Sequence, residues 1–439
     1  MQTILLPIQS QLPALLGAPP SSTAWVITIT VLVGTVCSPV AGRLGDMYGK
    51  RRIVMILLAQ LTAGSIVCAV ADSLVPVLIG RALQGAGLGV VGVSIAVLRD
   101  LVPRERLGSA IALVSATVGV GSALALPLSA FIAEGAGWHV LFALATLLGV
   151  CSLAAVAGAV PPDVVRSGGR FDCLGAVGLT AGLTCLLLGI SQAGEGGAGS
   201  LPVVTLLGTA TAVLLVWGWA TLRNPQPLVD LRVSARRPVL LTNLAGVAMG
   251  FAFFASSIVF PQLLQLPTSA GGVGLTAQGA SFALMPLGVS MLAAAPLAGR
   301  ITRRFGPKPL LIAGAAILAA AYLFACLVPL GVWHIGALNA VIGIGIGFGF
   351  AAMPTLLMTA VPVTESASAN GLNTLMRSLG MTTAAAVIGT VIAQSAEGSP
   401  LDAVPGLPGF TTALLLSALA SCVCILLASF IPVRGPQIV

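Results

Sequence analysis

Charge is what this sequence has least of. Asp, Glu, Lys and Arg make up 7% of its 439 residues, and 57% are hydrophobic, where a soluble domain carries about 25% charged residues. No water-soluble fold could hide so much apolar surface. Aromatics are scarce at 5%, with two Tyr, and there are two His. Signatures of soluble chemistry are missing as well: no Walker-type loop, no His-Glu-x-x-His and no Cys/His cluster. The glycine-rich stretch 343–349 lies inside an apolar run, where small residues serve helix packing. These absences argue against an enzyme, against ATP-driven transport by this chain alone, and against a metal or organic cofactor. The eight cysteines lie in or beside apolar runs and read as small core hydrophobes without disulfides. Cys422 and Cys424, two apart on a helix, point different ways.

What is present in quantity is apolar runs of the length a helix needs to cross a bilayer, about 20 residues. Between polar breaks they cover 24–42, 53–71, 74–98, 107–133, 139–160, 172–192, 201–222, 239–266, 277–299, 309–329, 333–359, 368–394 and 409–432, thirteen complete spans. Eighteen of the 20 Lys and Arg fall in every second connection or the C-terminal tail. The intervening connections hold acids alone: Asp72, Glu134, Glu195, Glu397 and Asp402. The positive-inside rule makes the basic connections cytoplasmic. The net charge of +8 therefore marks sidedness, and because the bases are not gathered on one domain no nucleic-acid partner is expected. Trp25, Trp138, Trp333, Trp217 and Trp219 fall near span ends, where the ring suits the headgroup layer. His139 and His334 follow two of them and read as interfacial polar residues.

The chain repeats itself. Pro7-Ile-Gln-Ser-Gln11-Leu12-Pro13 matches Pro261-Gln-Leu-Leu-Gln265-Leu266-Pro267 at an offset of 254 residues. Pro39-Val-Ala-Gly-Arg43 and its sequel to Arg51 match Pro296-Leu-Ala-Gly-Arg300 and its sequel to Lys308 at an offset of 257. The later Pro261 copy follows a long apolar run that the Pro7 copy lacks, so a first helix is expected to be truncated. Restoring it makes fourteen spans with both ends cytoplasmic. The expected fold is an all-α polytopic membrane protein of two pseudo-symmetric six-helix bundles, 1–160 and 239–439, with an inserted two-span hairpin and its linkers at 161–238. Such repeats place a binding site at their interface near the midplane.

The loop between spans 2 and 3 reads Gly42-Arg43-Leu44-Gly45-Asp46-Met47-Tyr48-Gly49-Lys50-Arg51-Arg52. Glycines permit a tight turn, and an acid among bases can pair with them or with a helix N-terminus. A cluster of bases alone would serve to fix orientation. The residues as they stand resemble the signature loop of the major facilitator superfamily. The resemblance implies that Asp46 contacts bases at the inner end of span 4, such as Arg99, and the start of span 13 near 366–370, holding a conformational switch. The second copy departs from it, with Arg303 where Asp46 stands. Span 5 carries Gly119, Gly121 and Pro127, similar to the family's antiporter packing motif, although Ser129 and Ala130 replace its usual glycine pair.

Only Arg81 and Arg377 place a base inside a span, at a cost of about 2.5 to 3.5 kcal/mol at mid-helix on insertion scales. Arg81, with Gln84, resembles the family's span-4 motif. Either it bonds backbone carbonyls of a neighbouring helix, or it serves the cavity by binding substrate or adjusting a proton site. Arg377, with Asn373 nearly on its face, could do the same or snorkel toward the cytoplasmic side. Asn243, Gln262 and Asn339 are expected to face the bundle interior, since lipid would strand their amides.

The resemblance as a whole points to the fourteen-span drug:proton antiporter branch, common in actinobacteria. It implies proton-gradient-driven export, from the plasma membrane, of an amphipathic drug or antibiotic-like small molecule by what is by default a monomer. An importer or specific metabolite exporter of the same fold, or a transport-inactive sensor or structural relative, is the alternative. None of the 12 Asp and Glu lies in the middle of a span, whereas proton relays usually embed one.

Overall fold

A computed structural model describes residue 5 and residues 12–23, 25–162, 168, 170–196, 199–268, 271–397 and 404–432. The early repeat copy at 7–11, Arg166, Asp402 and Arg434 lie outside the described residues. In chain order the helices are α1 (Leu12–Leu16), α2 (Pro20–Thr23), α3 (Trp25–Tyr48), α4 (Lys50–Ala69), α5 (Leu74–Gly87), α6 (Val90–Leu101), α7 (Arg104–Ala136), α8 (Trp138–Ala159), α9 (Cys173–Gly196), α10 (Leu201–Arg223), α11 (Leu231–Ser234), α12 (Arg237–Gln265), α13 (Ala277–Leu284), α14 (Pro286–Phe305), α15 (Pro307–Leu327), α16 (Val332–Ala360), α17 (Ser366–Gln394) and α18 (Leu407–Ser429). Among the described residues, twelve helical segments are long and apolar enough to cross a membrane, with α5–α6 and α13–α14 each counted as one. The 33-residue α7 covers the remaining apolar run, 107–133. Helix is what a chain without water must form, since each backbone N–H and C=O then finds its partner within the segment. The sole β pairing among described residues joins Ala396–Glu397 to Val404–Pro405.

Prolines interrupt five helices, at Pro39, Pro127, Pro261, Pro296 and Pro354. Each removes one ladder bond, which neighbouring helices can tolerate inside a bundle. Close approach rests on small residues rather than on a hydrophobic drive that lipid does not supply. A Cβ on Gly345 would lie 2.8 Å from the Gly314 carbonyl oxygen, and one on Gly314 2.5 Å from that of Gly345, so α15 and α16 touch backbone to backbone. That makes α16 the heart of its half, more deeply buried than any other of the twelve segments. The Tyr322 hydroxyl ties α15 to α12 by donating to the Ala252 carbonyl.

One group of helices, α3 to α6 with α8, packs around α3, α4 and α5, with α7 at its border, and a second, α12 to α18, packs around α12 and α16. They meet along two seams, α3 against α17 and α7 against α14. The inserted hairpin is lopsided: α10 is the least buried of the twelve segments and faces outward, while α9 lies against α17 and α3. Leu228 and Val229 of the following linker join Leu179, Leu183, Val36 and Leu375 in one buried cluster. Trp333 and Trp219 are exposed as anchors should be, but Trp138 is buried, its ring edge-on to Phe142 at 5.9 Å. All eight cysteines are free.

Candidate functional site

The α3–α17 seam is built at the face that carries the basic connections. A Cβ on Gly42 would come within 2.4 Å of the Ala367 carbonyl oxygen, and one on Gly371 within 2.5 Å of that of Ser38. Only hydrogen at these positions lets the two bundles close. Gly45 packs on Val93, where a Cβ would lie 3.1 Å from Cγ1, and Gly49 turns the chain into α4 at φ 109°, a conformation that favours glycine.

Asp46 stands at the end of this contact with 1% of its surface exposed. Its carboxylate accepts from the Ala367 N–H at 3.0 Å, the Ser368 N–H at 2.8 Å and the Ser368 hydroxyl at 2.7 Å. These amides belong to the first turn of α17, where N–H groups have no helical partner and the helix dipole favours an anion. Arg99 takes a different course from the contact with Asp46 that the family resemblance implied. Its guanidinium donates to the carbonyls of Pro362 at 3.1 Å and Val361 at 3.0 Å, just past the C-terminus of α16. The physical reason is the same dipole at its negative end, which attracts a cation. The ion pair in this region is between Lys50, itself buried, and Asp100, at 2.6 Å. Arg51 donates to the Ala157 carbonyl at 2.8 Å, tying α4 to α8, while Arg52 is exposed and Arg43 lines a surface crevice with Asp230 and Glu365.

Beyond this seam, toward the opposite face, a cavity of about 420 Å³ opens between the bundles. It is walled by α3, α7, α12, α16 and α17, with Leu284 and Leu287 of α13 and α14. Its walls are mostly apolar, and the polar side chains lining it are Thr28, Ser191, Ser256, Ser257, Asn339 and Thr382. Among the described residues, no charged one lines it. Leu187, Leu188 and Ser191 come from α9, so the inserted hairpin supplies part of the wall. Sequence reasoning missed this, because α9 has no marked polar face to set it apart from a lipid-facing helix.

The expected cavity residues divide. Asn339 is buried and lines the cavity; its amide donates to Ile335 O at 3.0 Å, while its oxygen has no partner. Gln262 is exposed rather than inward-facing. It sits in the last turn of α12, close to the headgroup layer, where its amide need not be buried to be satisfied. Asn243 and Asn373 bond each other at 3.1 Å, welding α12 to α17, and neither lines the cavity. Arg81 and Gln84 do not line it either. Arg81 donates to the Val26 carbonyl at 3.0 Å and to Gln84 at 2.7 Å, and Gln84 donates on to Ser65 at 2.8 Å. This chain joins α5 to α3 and α4, and it is the carbonyl-bonded alternative for Arg81. Gly119 packs on Met291 of α14 and Pro127 is buried, but a Cβ on Gly121 would meet nothing within 4 Å, so that glycine makes no close contact.

Arg377 does not snorkel. Its guanidinium carbon lies 4.1 Å from the ring centroid of Phe350, ten residues before the end of α16. A cation over an aromatic ring recovers about 0.5 to 2 kcal/mol, less than the roughly 2.5 to 3.5 kcal/mol cost of a mid-span base.

Two helical bundles in one membrane, clasped at one face and enclosing a cavity at their interface, define the architecture of a secondary carrier. The description of the Major Facilitator Superfamily matches residues 1–385 and 270–438, and the chain belongs to that family of membrane transporters. The Multidrug resistance protein B homolog of Mycobacterium tuberculosis is 28% identical over 72% of this chain; the match spans 58% of that relative's length, less than two thirds. The Putative multidrug resistance protein MdtD of Yersinia enterocolitica is 26% identical over 99% of the chain and 91% of its own length. The solved structure of the proton:xylose symporter XylE bound to 6-bromo-6-deoxy-D-glucose shares the fold, with a TM-score of 0.68 at 14% identity, covering 98% of this chain and 92% of that one.

Proposed function

We propose that the protein is a secondary active exporter of amphipathic, drug-like small molecules, working by alternating access and driven by the proton gradient. The observation that carries this reading is the cavity shut off from the basic face by the Asp46 clasp. The basic face is cytoplasmic by the positive-inside rule, the membrane is the plasma membrane, and 1–160 and 239–439 are the rocking halves around the insert 161–238. Breaking the clasp opens the cavity inward to load substrate; remaking it turns the cavity outward.

Asp46 is also the acid best placed to couple protons to this motion. Every acid within a helix lies at most two residues from the helix end: Asp46, Asp100, Glu105, Glu134 and Glu195. Protonating Asp46 removes the anion that three donors of α17 share, and so loosens the clasp. Names of relatives among multidrug resistance proteins support the substrate class. The test is accumulation of fluorescent amphipaths of both charges, ethidium and a coumarin carboxylate, in energised everted vesicles. Uptake of either dye above that of vesicles lacking the protein, abolished by an uncoupler, is expected. No protein-dependent uptake of either, with the chain inserted, overturns the reading.

A further inference from the structure

Arg377 does not itself line the cavity, but among the described residues it is the charged side chain joined to the cavity wall, and the clasp does not use it. It sits on α17 one turn before Met381, which lines the cavity, and beyond Gly371, which closes the seam. Phe350, under its guanidinium, packs edge-on against Phe253 at 5.6 Å, and Phe253 lines the cavity wall. Its Nε is buried without a hydrogen-bond partner. The neighbouring polar groups leave it alone: Asn373 and Asn243 bond each other. Its surroundings on α12 are Gly246 and Gly250, which carry no side chain to answer it. No carboxylate faces it from α12, α16 or α17, because none of these helices contains an Asp or Glu. Arg81, of the other half, bonds a carbonyl and Gln84.

A cation that has only an aromatic ring to answer it, set behind a low-dielectric wall, fixes the sign of the potential in the space beyond, and among the described residues no acid lining the cavity opposes it. We infer that the cavity selects amphipathic organic anions, compounds with an apolar aromatic body and one acidic group, with Arg377 as the anchor of the acid. The body lies against Phe253 and the aliphatic walls. The unpartnered oxygen of Asn339, eleven residues along α16 from Phe350 and so about 16 Å away, accepts from a hydroxyl or amine at the other end. A lipophilic cation finds only hydroxyls and an amide oxygen here and is repelled by the same Arg377.

This inference rests on the cavity being the substrate site, and binding tests it apart from movement. The full chain, purified in lipid nanodiscs, is titrated with 7-diethylaminocoumarin-3-carboxylate, with its uncharged ethyl ester, and with ethidium, read by fluorescence. The acid is expected to bind at least about tenfold tighter than the ester, the gain of one charge-assisted contact. Arg377→Gln should erase that difference, and Arg377→Lys should keep part of it. The comparison of acid with ester on the unaltered chain does not depend on any variant folding. Equal binding of acid and ester, preference for ethidium, no binding of the acid, or a preference that survives Arg377→Gln each overturns the proposal. Binding through Arg377 without uptake in vesicles would sink the export reading and leave this one standing.

Discussion

The two copies of the Pro-x-Ala-Gly-Arg segment do the same steric work and different electrostatic work. In the first, Gly42 meets the Ala367 backbone and Asp46 caps α17; in the second, Gly299 meets Ser109 of α7, where a Cβ would lie 2.8 Å from its Cα, and Arg303 is exposed. The glycines repeat because both seams need backbone contact between bundles. The charge does not repeat because the partner helices begin at different heights. α17 starts at Ser366, so the amides of Ala367 and Ser368 are orphans of the first turn. α7 starts at Arg104, five residues ahead of Ser109, and there the amides already serve the helix ladder. An acid pays off at the first seam alone.

The steric half predicts the largest effect. Gly42→Ala drives a methyl into a carbonyl oxygen that belongs to helix backbone and cannot rotate away. Transport in everted vesicles is expected to fall more than about tenfold, as it should for Gly299→Ala, with both chains still inserted. Equal activity of either variant would mean that the seam does not close as described.

Asp46→Asn comes next. It keeps the shape and removes the anion from three donors, two of them backbone amides of a helix N-terminus. Charge-assisted bonds contribute about 1.5 to 3 kcal/mol, so the clasped population should fall by about tenfold or more. Cys37, one residue from the Ser38 contact with Gly371, reports it. Its alkylation by a maleimide added from the cytoplasmic side, resolved by mass spectrometry from the other cysteines, should speed up by a similar factor. An unchanged rate would separate Asp46 from the clasp.

A smaller effect distinguishes the two arginines within spans, Arg81 buried and Arg377 half-buried. Arg81→Leu strands the Val26 carbonyl and the Gln84 side chain, each an unsatisfied buried group at about 1 to 3 kcal/mol. Arg377→Leu strands no hydrogen-bond partner among the described residues. Thermal unfolding in nanodiscs should therefore shift down for Arg81→Leu and barely move for Arg377→Leu. A larger loss at Arg377 would make it a structural residue.

The span pattern and the loop around Asp46 were legible because hydropathy and charge are properties of single residues and the bilayer sorts them. The fate of polar groups inside spans was not, since it depends on which neighbour faces them. Asn243 and Asn373, 130 positions apart, cancel each other; Gln262 escapes burial by lying in a last turn; Arg99 finds carbonyls at 361–362 rather than Asp46. Likewise the contribution of α9 to the cavity depends on how the hairpin folds back, which an evenly apolar helix does not encode.

The difference in helix start yields the smallest effect and the most discriminating one. If Asp46 works because an acid in this loop suits any seam, Arg303→Asp should build a second clasp, strengthen closure and slow Cys37 alkylation. If it works because α17 offers unpaired amides, Arg303→Asp finds none on α7 near Ser109, and both transport and alkylation should stay within about twofold of the parent, the range of an exposed surface charge. Extending the comparison, Arg303→Asp should fail to rescue Asp46→Asn. Rescue would show that the sign of the loop, not the height at which the facing helix begins, governs which half carries the switch.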